Sequence, residues 1–292
     1  MCLGCVQGET SKEVNINKRE DVDSQSYKDG LGDTIWFGFD LRLDPREDVR
    51  IYTPFLGYLE RATGRHFKIR FSPTYEETID ALGRGDTQFA AIGTVSYVIG
   101  RERYGIRYLV SGLNSDGIPR YRAMIVVRPK SGISSIRDLK GRAFCFGSDM
   151  STQGHLIPRK MLEDEGIMLK DLSYHIYTGS HANAVTSLLN GECDAAGIQD
   201  TLARRLESEG KIRILKVSEP YPSSIIAYNK DVKPEIVKAV ESALLAFEPM
   251  GRHKDTLYKW DVTEMPLGFT KVDESEMDKV ERLARRYGLL KR

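Results

Sequence analysis

The sequence predicts an α/β protein made of two similar β-α-β lobes joined by a two-strand hinge. Three observations carry this. From Thr34 onward, short apolar runs rich in Ile, Val and Phe alternate with stretches of helical periodicity. The same strand and helix register returns about 106 positions later. Two separate apolar strands, one from Tyr121 and one from near Ser223, each carry the chain across between the lobes.

Taken in order, the strand Thr34 to Phe39 opens the fold, and a helix from about Tyr52 to Ala62 closes at Gly64. A strand from His66 to Phe71, a helix from Tyr75 to Leu82 ended by Gly83 and Gly85, and a buried strand Phe89 to Gly93 complete a parallel unit. In the second unit, strand Ala143 to Phe146 and helix Leu156 to Glu165 answer the first strand and helix. Strand Leu172 to Tyr177 then answers 66–71, the helix from His181 to Leu189 answers the one at Tyr75, and Gly191 falls on Gly85. Tyr121 to Val127 is the first crossing and Ser223 to Tyr228 the return. Pro234 to Phe247 is an amphipathic helix with Ile236, Val237, Val240, Leu244 and Phe247 on one face, and Met277 to Tyr287 is the last helix. The expected division is therefore 34–122 plus 226–292 for one lobe and 123–225 for the other. A gap between hinged lobes is a favoured ligand site.

Composition narrows the function. The 292 residues have room for about two domains. A formal net charge of +1 lacks the basic excess of a nucleic-acid binder, and no apolar run reaches the roughly 20 residues needed to span a bilayer. The four cysteines, Cys2, Cys5, Cys145 and Cys193, do not have paired zinc-ligand spacing. Cys145 and Cys193 lie in apolar runs and read as small buried hydrophobes. Cys2-Leu3-Gly4-Cys5 resembles the end of a bacterial lipoprotein signal, with Cys5 as the acylated residue. Residues 6–33 are polar, as a tether would be, so 1–33 are read as signal remnant and flexible tether.

Three loops carry candidate chemistry. Helix N-termini opening into an interlobe gap offer unpaired N–H groups and a partial positive charge, so they bind anions without Lys or Arg. Ser151-Thr152-Gln153-Gly154-His155 adds two adjacent hydroxyls and a glycine that admits a ligand to the backbone, a cradle of donors for oxygens. A plain helix cap would use only one of those hydroxyls. Pro158 either begins the regular helix or kinks it and frees the Gly154 carbonyl. In Gly179-Ser180-His181, His181 either donates to an anion or caps its own helix, and its place matches that of Tyr75 in the first lobe. In Gly93-Thr94-Val95-Ser96-Tyr97, Tyr97 either closes over a ligand or packs as a core tyrosine.

Together with Ile79-Asp80-Ala81-Leu82, Tyr121-Arg122-Ala123 and Asp138-Leu139-Lys140-Gly141, these stretches resemble the binding subunits of phosphonate, phosphite and phosphate ABC transporters, from about Thr34 to Tyr228. The resemblance implies a type II periplasmic-binding-protein fold with its ligand in the interlobe cleft. Carried over by position, Tyr75, Tyr97, Ser151, Thr152, Gly154 and His181 are the oxyanion ligands, with His155 beside the loop. It further implies a monomer that uses no cofactor or metal, carries out no catalysis and binds no nucleic acid. Such a protein is periplasmic or held at the outer face of the cytoplasmic membrane, and it hands a small phosphorus oxyanion to the membrane permease of an ABC transporter.

Two departures narrow the ligand. Gln153 stands where the family has a small residue, and the return crossing reads Pro222-Ser223-Ser224-Ile225, without the acidic residue of members that take aminoalkylphosphonates. An ammonium group there would be desolvated without a partner, which favours phosphite, phosphate or methylphosphonate. The competing classes are an enzyme on the same fold and an oxyanion sensor for a membrane histidine kinase. In the sensor, Cys145 or Cys193 would ligate a thiophilic oxyanion such as arsenite.

Overall fold

The structure is a computed structural model that describes residues 34–290. The proposed lipid-anchor residue Cys5 and the tether 6–33 lie outside the described residues.

The chain opens with strand β1 (Thr34–Phe39) and helix α1 (Pro45–Thr63). The helix starts seven residues before the apolar periodicity suggests. Asp44 caps it by accepting from the Arg46 N–H, Pro45 occupies its first turn, and Glu47 and Asp48 follow. Charge and a proline hide this turn from a periodicity reading, although both suit a helix start. Strand β2 (His66–Ile69), helix α2 (Tyr75–Arg84), strand β3 (Phe89–Ile92), helix α3 (Thr94–Tyr104) and strand β4 (Arg107–Gly112) follow. The first crossing is β5 (Arg120–Tyr121) running into β6 (Ala123–Val127).

The second half holds β7 (Ala143–Phe146), one π-helical turn over Thr152–Leu156, α4 (Ile157–Asp164), β8 (Tyr174–Tyr177), α5 (His181–Leu189), β9 (Ala195–Gln199), α6 (Asp200–Ser208) and β10 (Arg213–Val217). The return crossing is β11 (Tyr221–Pro222) and β12 (Ile225–Tyr228), followed by α7 (Pro234–Leu245), β13 (Phe269–Thr270) and α8 (Asp278–Arg286). The two crossings lie side by side, β5 paired antiparallel with β11.

The two sheets repeat one design. The first runs β2-β1-β3-β12-β4-β13 and the second β8-β7-β9-β6-β10. In each, three parallel strands meet an antiparallel strand that arrives from a crossing. Each half thus borrows its fourth strand from the segment that enters it, which ties hinge and sheets together. Gly85 and Gly191, 106 residues apart, both take left-handed backbone, with φ of 83° and 80°, as they end equivalent turns. Parallel strands require crossovers, and the helices that supply them begin at the same end of each sheet.

The first sheet is packed on one face by an aromatic cluster around Phe55, whose ring centroid lies 4.7 Å from that of Trp260 and 5.2 Å from that of Phe247. In the second sheet, Cys145 in β7 and Cys193 just before β9 form a disulfide with Cα atoms 5.8 Å apart. This corrects the expectation of free, inert thiols: both residues are buried as expected, but neither sulfur is left to ligate arsenite. The pairing became possible because β7 and β9 are neighbours, with Cys145 opposite Ala196.

A bridge across 48 residues of sequence constrains the unfolded chain. Replacing both cysteines by Ala is expected to lower the unfolding free energy by about 2–4 kcal/mol. Denaturant unfolding checks this, and identical midpoints for the two proteins would mean that the bond does not form in solution.

Candidate functional site

The helix starts at Tyr75, Thr94, Thr152 and His181 come together between the two halves, and their first residues carry polar groups of the gap. Thr74 caps α2 by accepting from the Glu77 N–H, and Ser180 caps α5 by accepting from the Asn183 N–H. The next residues, Tyr75 and His181, are therefore free of capping duty. Both are at least 98% buried, and among the described residues neither the Tyr75 hydroxyl nor either ring nitrogen of His181 has a hydrogen-bond partner. Burial keeps the Tyr75 phenol well above its ordinary pKa, so it is a neutral donor. Burial, with the nearby Arg42 charge, pulls His181 down to about 3, so the imidazole is neutral at physiological pH.

The Ser151–Gly154 loop combines cap and cradle. The Ser151 hydroxyl caps the π turn by accepting from the Gly154 N–H at 2.9 Å, and it lies beside the Tyr75 hydroxyl without forming an aligned hydrogen bond. Thr152 reaches across to the first half: its hydroxyl accepts from the Val95 N–H at 3.0 Å and shares a hydrogen bond with the Thr94 hydroxyl at 3.2 Å. Gly154 is required by space. A Cβ there would sit 2.9 Å from Ser151 Oγ, 3.1 Å from Gly147 Cα and 3.1 Å from His181 Cε1. Pro158 lies at the start of the regular α4 helix, and the wide turn before it leaves the Gly154 carbonyl outside the helix ladder. That carbonyl accepts from the Gly147 N–H at 2.9 Å, so the break costs no hydrogen bond.

Of the residues singled out from sequence, Tyr75, Ser151, Thr152, Gly154 and His181 come together in the gap. Tyr97 and His155 do not. Tyr97 sits one turn into α3, and its hydroxyl donates to Glu274 of the C-terminal segment, with the Arg101 guanidinium 5.4 Å from its ring centroid. His155 donates from Nδ1 to the Asp149 carbonyl at 2.6 Å, and its Nε2 accepts from the Tyr177 hydroxyl at 3.1 Å. Both rings serve packing. The tyrosine that faces the gap is Tyr121 of the first crossing, fully buried, with its hydroxyl 2.9 Å from that of Thr94.

Sequence reasoning also missed a buried charged group around Arg42, just after β1. Its guanidinium donates to Glu264 at 3.1 Å and to the Ser224 hydroxyl at 3.2 Å, and Ser224 in turn donates to Glu264. The Arg42 carbonyl accepts weakly, at 3.4 Å, from the Ala182 N–H of α5, joining the halves. Asp40, fully buried, accepts through Oδ2 from the Gly93 N–H at 2.8 Å and from the Ser96 hydroxyl at 2.7 Å. Burial raises its pKa to about 6 against the opposing pull of Arg42. The return crossing itself carries no carboxylate, but Asp40 and Glu264 bring two to its neighbourhood from distant parts of the sequence. Among the described residues, no cluster of His, Cys, Asp and Glu has the form of a metal site, and no helix is long and apolar enough to cross a membrane.

Comparisons with known proteins agree with this architecture. Residues 37–277 match the family model described as the periplasmic substrate-binding protein of phosphonate ABC transporters. The chain is 24% identical over 207 residues to the phosphate-import protein PhnD of Mycolicibacterium smegmatis, covering 65% of this chain and 64% of that one. It is 25% identical over 191 residues to the phosphonates-binding periplasmic protein of Escherichia coli, covering 62% and 56%. The matches thus span less than two thirds of the length of either curated relative. Among solved structures, PhnD1 of Prochlorococcus marinus in complex with methylphosphonate superposes with a TM-score of 0.80 at 17% identity, over 88% of this chain and 99% of that one. The fold is that of the type II periplasmic binding proteins. With a family model matched across most of its length, the chain belongs to the periplasmic substrate-binding proteins of phosphonate ABC transporters.

Proposed function

We propose that this protein captures a small phosphorus oxyanion, namely phosphite, phosphate or methylphosphonate, between its two halves and delivers it to the membrane permease of an ABC transporter. The observation that carries this reading is the matched pair Tyr75 and His181. Equivalent helix starts in opposite halves each hold a buried, neutral, polar ring without a partner among the described residues. A buried donor left unmade costs about 1–3 kcal/mol, so such a pair is a stability liability unless a ligand meets it. Family membership and the names of the two relatives support the same ligand class and the same partner.

The chemistry is capture by neutral donors. The Arg42 charge is already answered by Glu264, so the anion is met by the hydroxyls of Tyr75, Tyr121, Ser151 and Thr152, the His181 ring and helix N-termini. An open form binds with the donors of one half, and closure brings the other half's donors and excludes water. Thr152, bonded to Thr94 and Val95 across the gap, joins ligand and closure in one side chain. The Cys145–Cys193 disulfide suits work in an oxidising, extracytoplasmic compartment.

Isothermal titration with phosphite, phosphate, methylphosphonate and aminoethylphosphonate tests the reading directly. At least one of the first three is expected to bind more tightly than aminoethylphosphonate, and no heat with any of them would end the proposal. Thr152→Ala is expected to weaken binding by roughly ten- to a hundredfold, the worth of one hydrogen bond to a charged group at about 1.5–3 kcal/mol. Unaltered affinity would remove Thr152 from the cradle. His181→Leu nearly keeps the side-chain volume but discards two unpartnered nitrogens, so it is expected to lose affinity without lowering the melting temperature. A lower melting temperature with binding intact would assign His181 a structural role instead.

A further inference from the structure

The Asp40 carboxylate is a buried acceptor with one oxygen unaccounted for. It is 0% exposed, its Oδ2 is held by Gly93 N–H and Ser96 Oγ, and its Oδ1 has no partner among the described residues. It stands beside the cradle. A Cβ built on Gly93 would lie 3.6 Å from Asp40 Oδ2 and 3.5 Å from Thr152 Oγ1, so carboxylate and cradle hydroxyl flank one stretch of backbone. Its charge also acts on Tyr75 and on Arg42.

The charges around it matter as much as the position. Arg42 is paired with Glu264 at 3.0 Å and supports Asp40 only from a distance. His181 is neutral, and the hydroxyls of Tyr75 and Tyr121 stay protonated. With Asp40, Asp48 and Glu264 ionised and Arg42 charged, the buried side chains of this region sum to two negative charges. An anion with no hydrogen to give would meet the bare Oδ1 as a repulsive neighbour. An ionised carboxylate can only accept, so a favourable contact requires a hydrogen on the ligand.

Building on the ligand class proposed above, we infer that Asp40 is a specificity residue: its Oδ1 accepts the hydroxyl hydrogen of a singly protonated phosphorus oxyanion. The contact turns a repulsion into a charge-assisted hydrogen bond, and it separates phosphonates from sulfonates of the same size and shape. Methylphosphonate can carry a P–OH at neutral pH, whereas methanesulfonate is a fully ionised monoanion with no acidic hydrogen. Size alone discriminates isosteres poorly, while an unmatched buried polar group discriminates strongly. Ser96 and the Gly93 N–H fix the carboxylate, so it does not turn away from the ligand.

The test is calorimetric titration of the intact protein and of Asp40→Asn with methylphosphonate, methanesulfonate and aminoethylphosphonate. The unaltered protein is expected to bind methanesulfonate at least a hundredfold more weakly than methylphosphonate. Asp40→Asn is expected to narrow that ratio at least tenfold, because a carboxamide can donate as well as accept. If the unaltered protein binds the two anions within threefold of each other, the inference fails whether or not the variant folds. It fails as well if a folded variant keeps the full preference. A tenfold preference for aminoethylphosphonate over methylphosphonate that Asp40→Asn abolishes would mean that the carboxylate serves an ammonium, overturning the assignment to a P–OH. Absence of binding by all three anions would overturn the phosphorus-oxyanion reading itself and this inference with it, an outcome distinct from lost selectivity.

Discussion

The buried ion pair of Arg42 and Glu264 is the interaction on which the rest of the gap depends. It gathers four separate parts of the chain: the end of β1, the segment before β13, the return crossing through Ser224, and the start of α5 through the Arg42 carbonyl. Two charges withdrawn from water gain little net stability over well-packed apolar groups, but breaking such a pair costs about 3–5 kcal/mol, because it strands a buried charge. The pair is therefore better understood as fixing geometry than as adding stability. It also decides the electrostatics. With Arg42 committed to Glu264, the guanidinium that acts on both Tyr75 and His181 is already compensated, and on the function proposed above the anion is held by dipoles and hydroxyls.

Neutral donors suit a carrier that must release what it binds. Each hydrogen bond to a charged oxygen contributes about 1.5–3 kcal/mol when dry and much less once water competes. On the closure mechanism proposed above, affinity held in such bonds rises as the halves close and falls as they open. The paired β5 and β11 at the crossings form a narrow ribbon, and Thr152 bonds across the gap to Thr94 and Val95. A direct ion pair to a guanidinium would be less sensitive to that motion, since Coulomb attraction falls off more slowly with distance than a hydrogen bond does.

Much of this was legible in the sequence, and the parts that were not have identifiable causes. The recurrence that placed His181 opposite Tyr75 is a register property, and register survives in sequence because Gly85 and Gly191 must both end turns in left-handed backbone. The Ser151–Gly154 loop was visible because hydroxyls and glycine cluster there. Tyr97 was carried over by position from the resemblance; in the structure it is Thr94, at the start of α3, that bonds to Thr152, while the Tyr97 hydroxyl is taken by Glu274 of the distant C-terminal segment. Tyr121 lay within a stretch already noticed, but a strand reading gave it no reason to point into the gap. Asp40, Arg42 and Glu264 carry no local signal, since their partners are distant in sequence: Arg42 meets Glu264 across 222 residues, and Asp40 meets Gly93 and Ser96 across 53 and 56. The disulfide was hidden likewise: its cysteines become neighbours only once β7 and β9 are known to be adjacent.

The two halves share one scaffold, and their differences show where specificity can arise. Phe37 of β1 and Phe144 of β7 hold equivalent places, each opposite the first residue of its neighbouring strand, β3 or β9. By the same count, Asp40 of the first half corresponds to Gly147 of the second. At Gly147 the missing side chain lets the π turn and the His181 ring close in, with Gly154 Cα and His181 Nδ1 3.4 and 3.7 Å from where a Cβ would be. At Asp40 the same position carries a carboxylate that anchors the next helix start through Gly93 and Ser96. One half thus uses the site after its first strand to admit a donor, and the other uses it to present an acceptor. A clamp built from two identical halves would offer only donors and accept any small anion of suitable size. Breaking the symmetry at this one position makes the lining chemically two-sided, and on the inference drawn above that is how the gap reads the number of hydrogens on the anion.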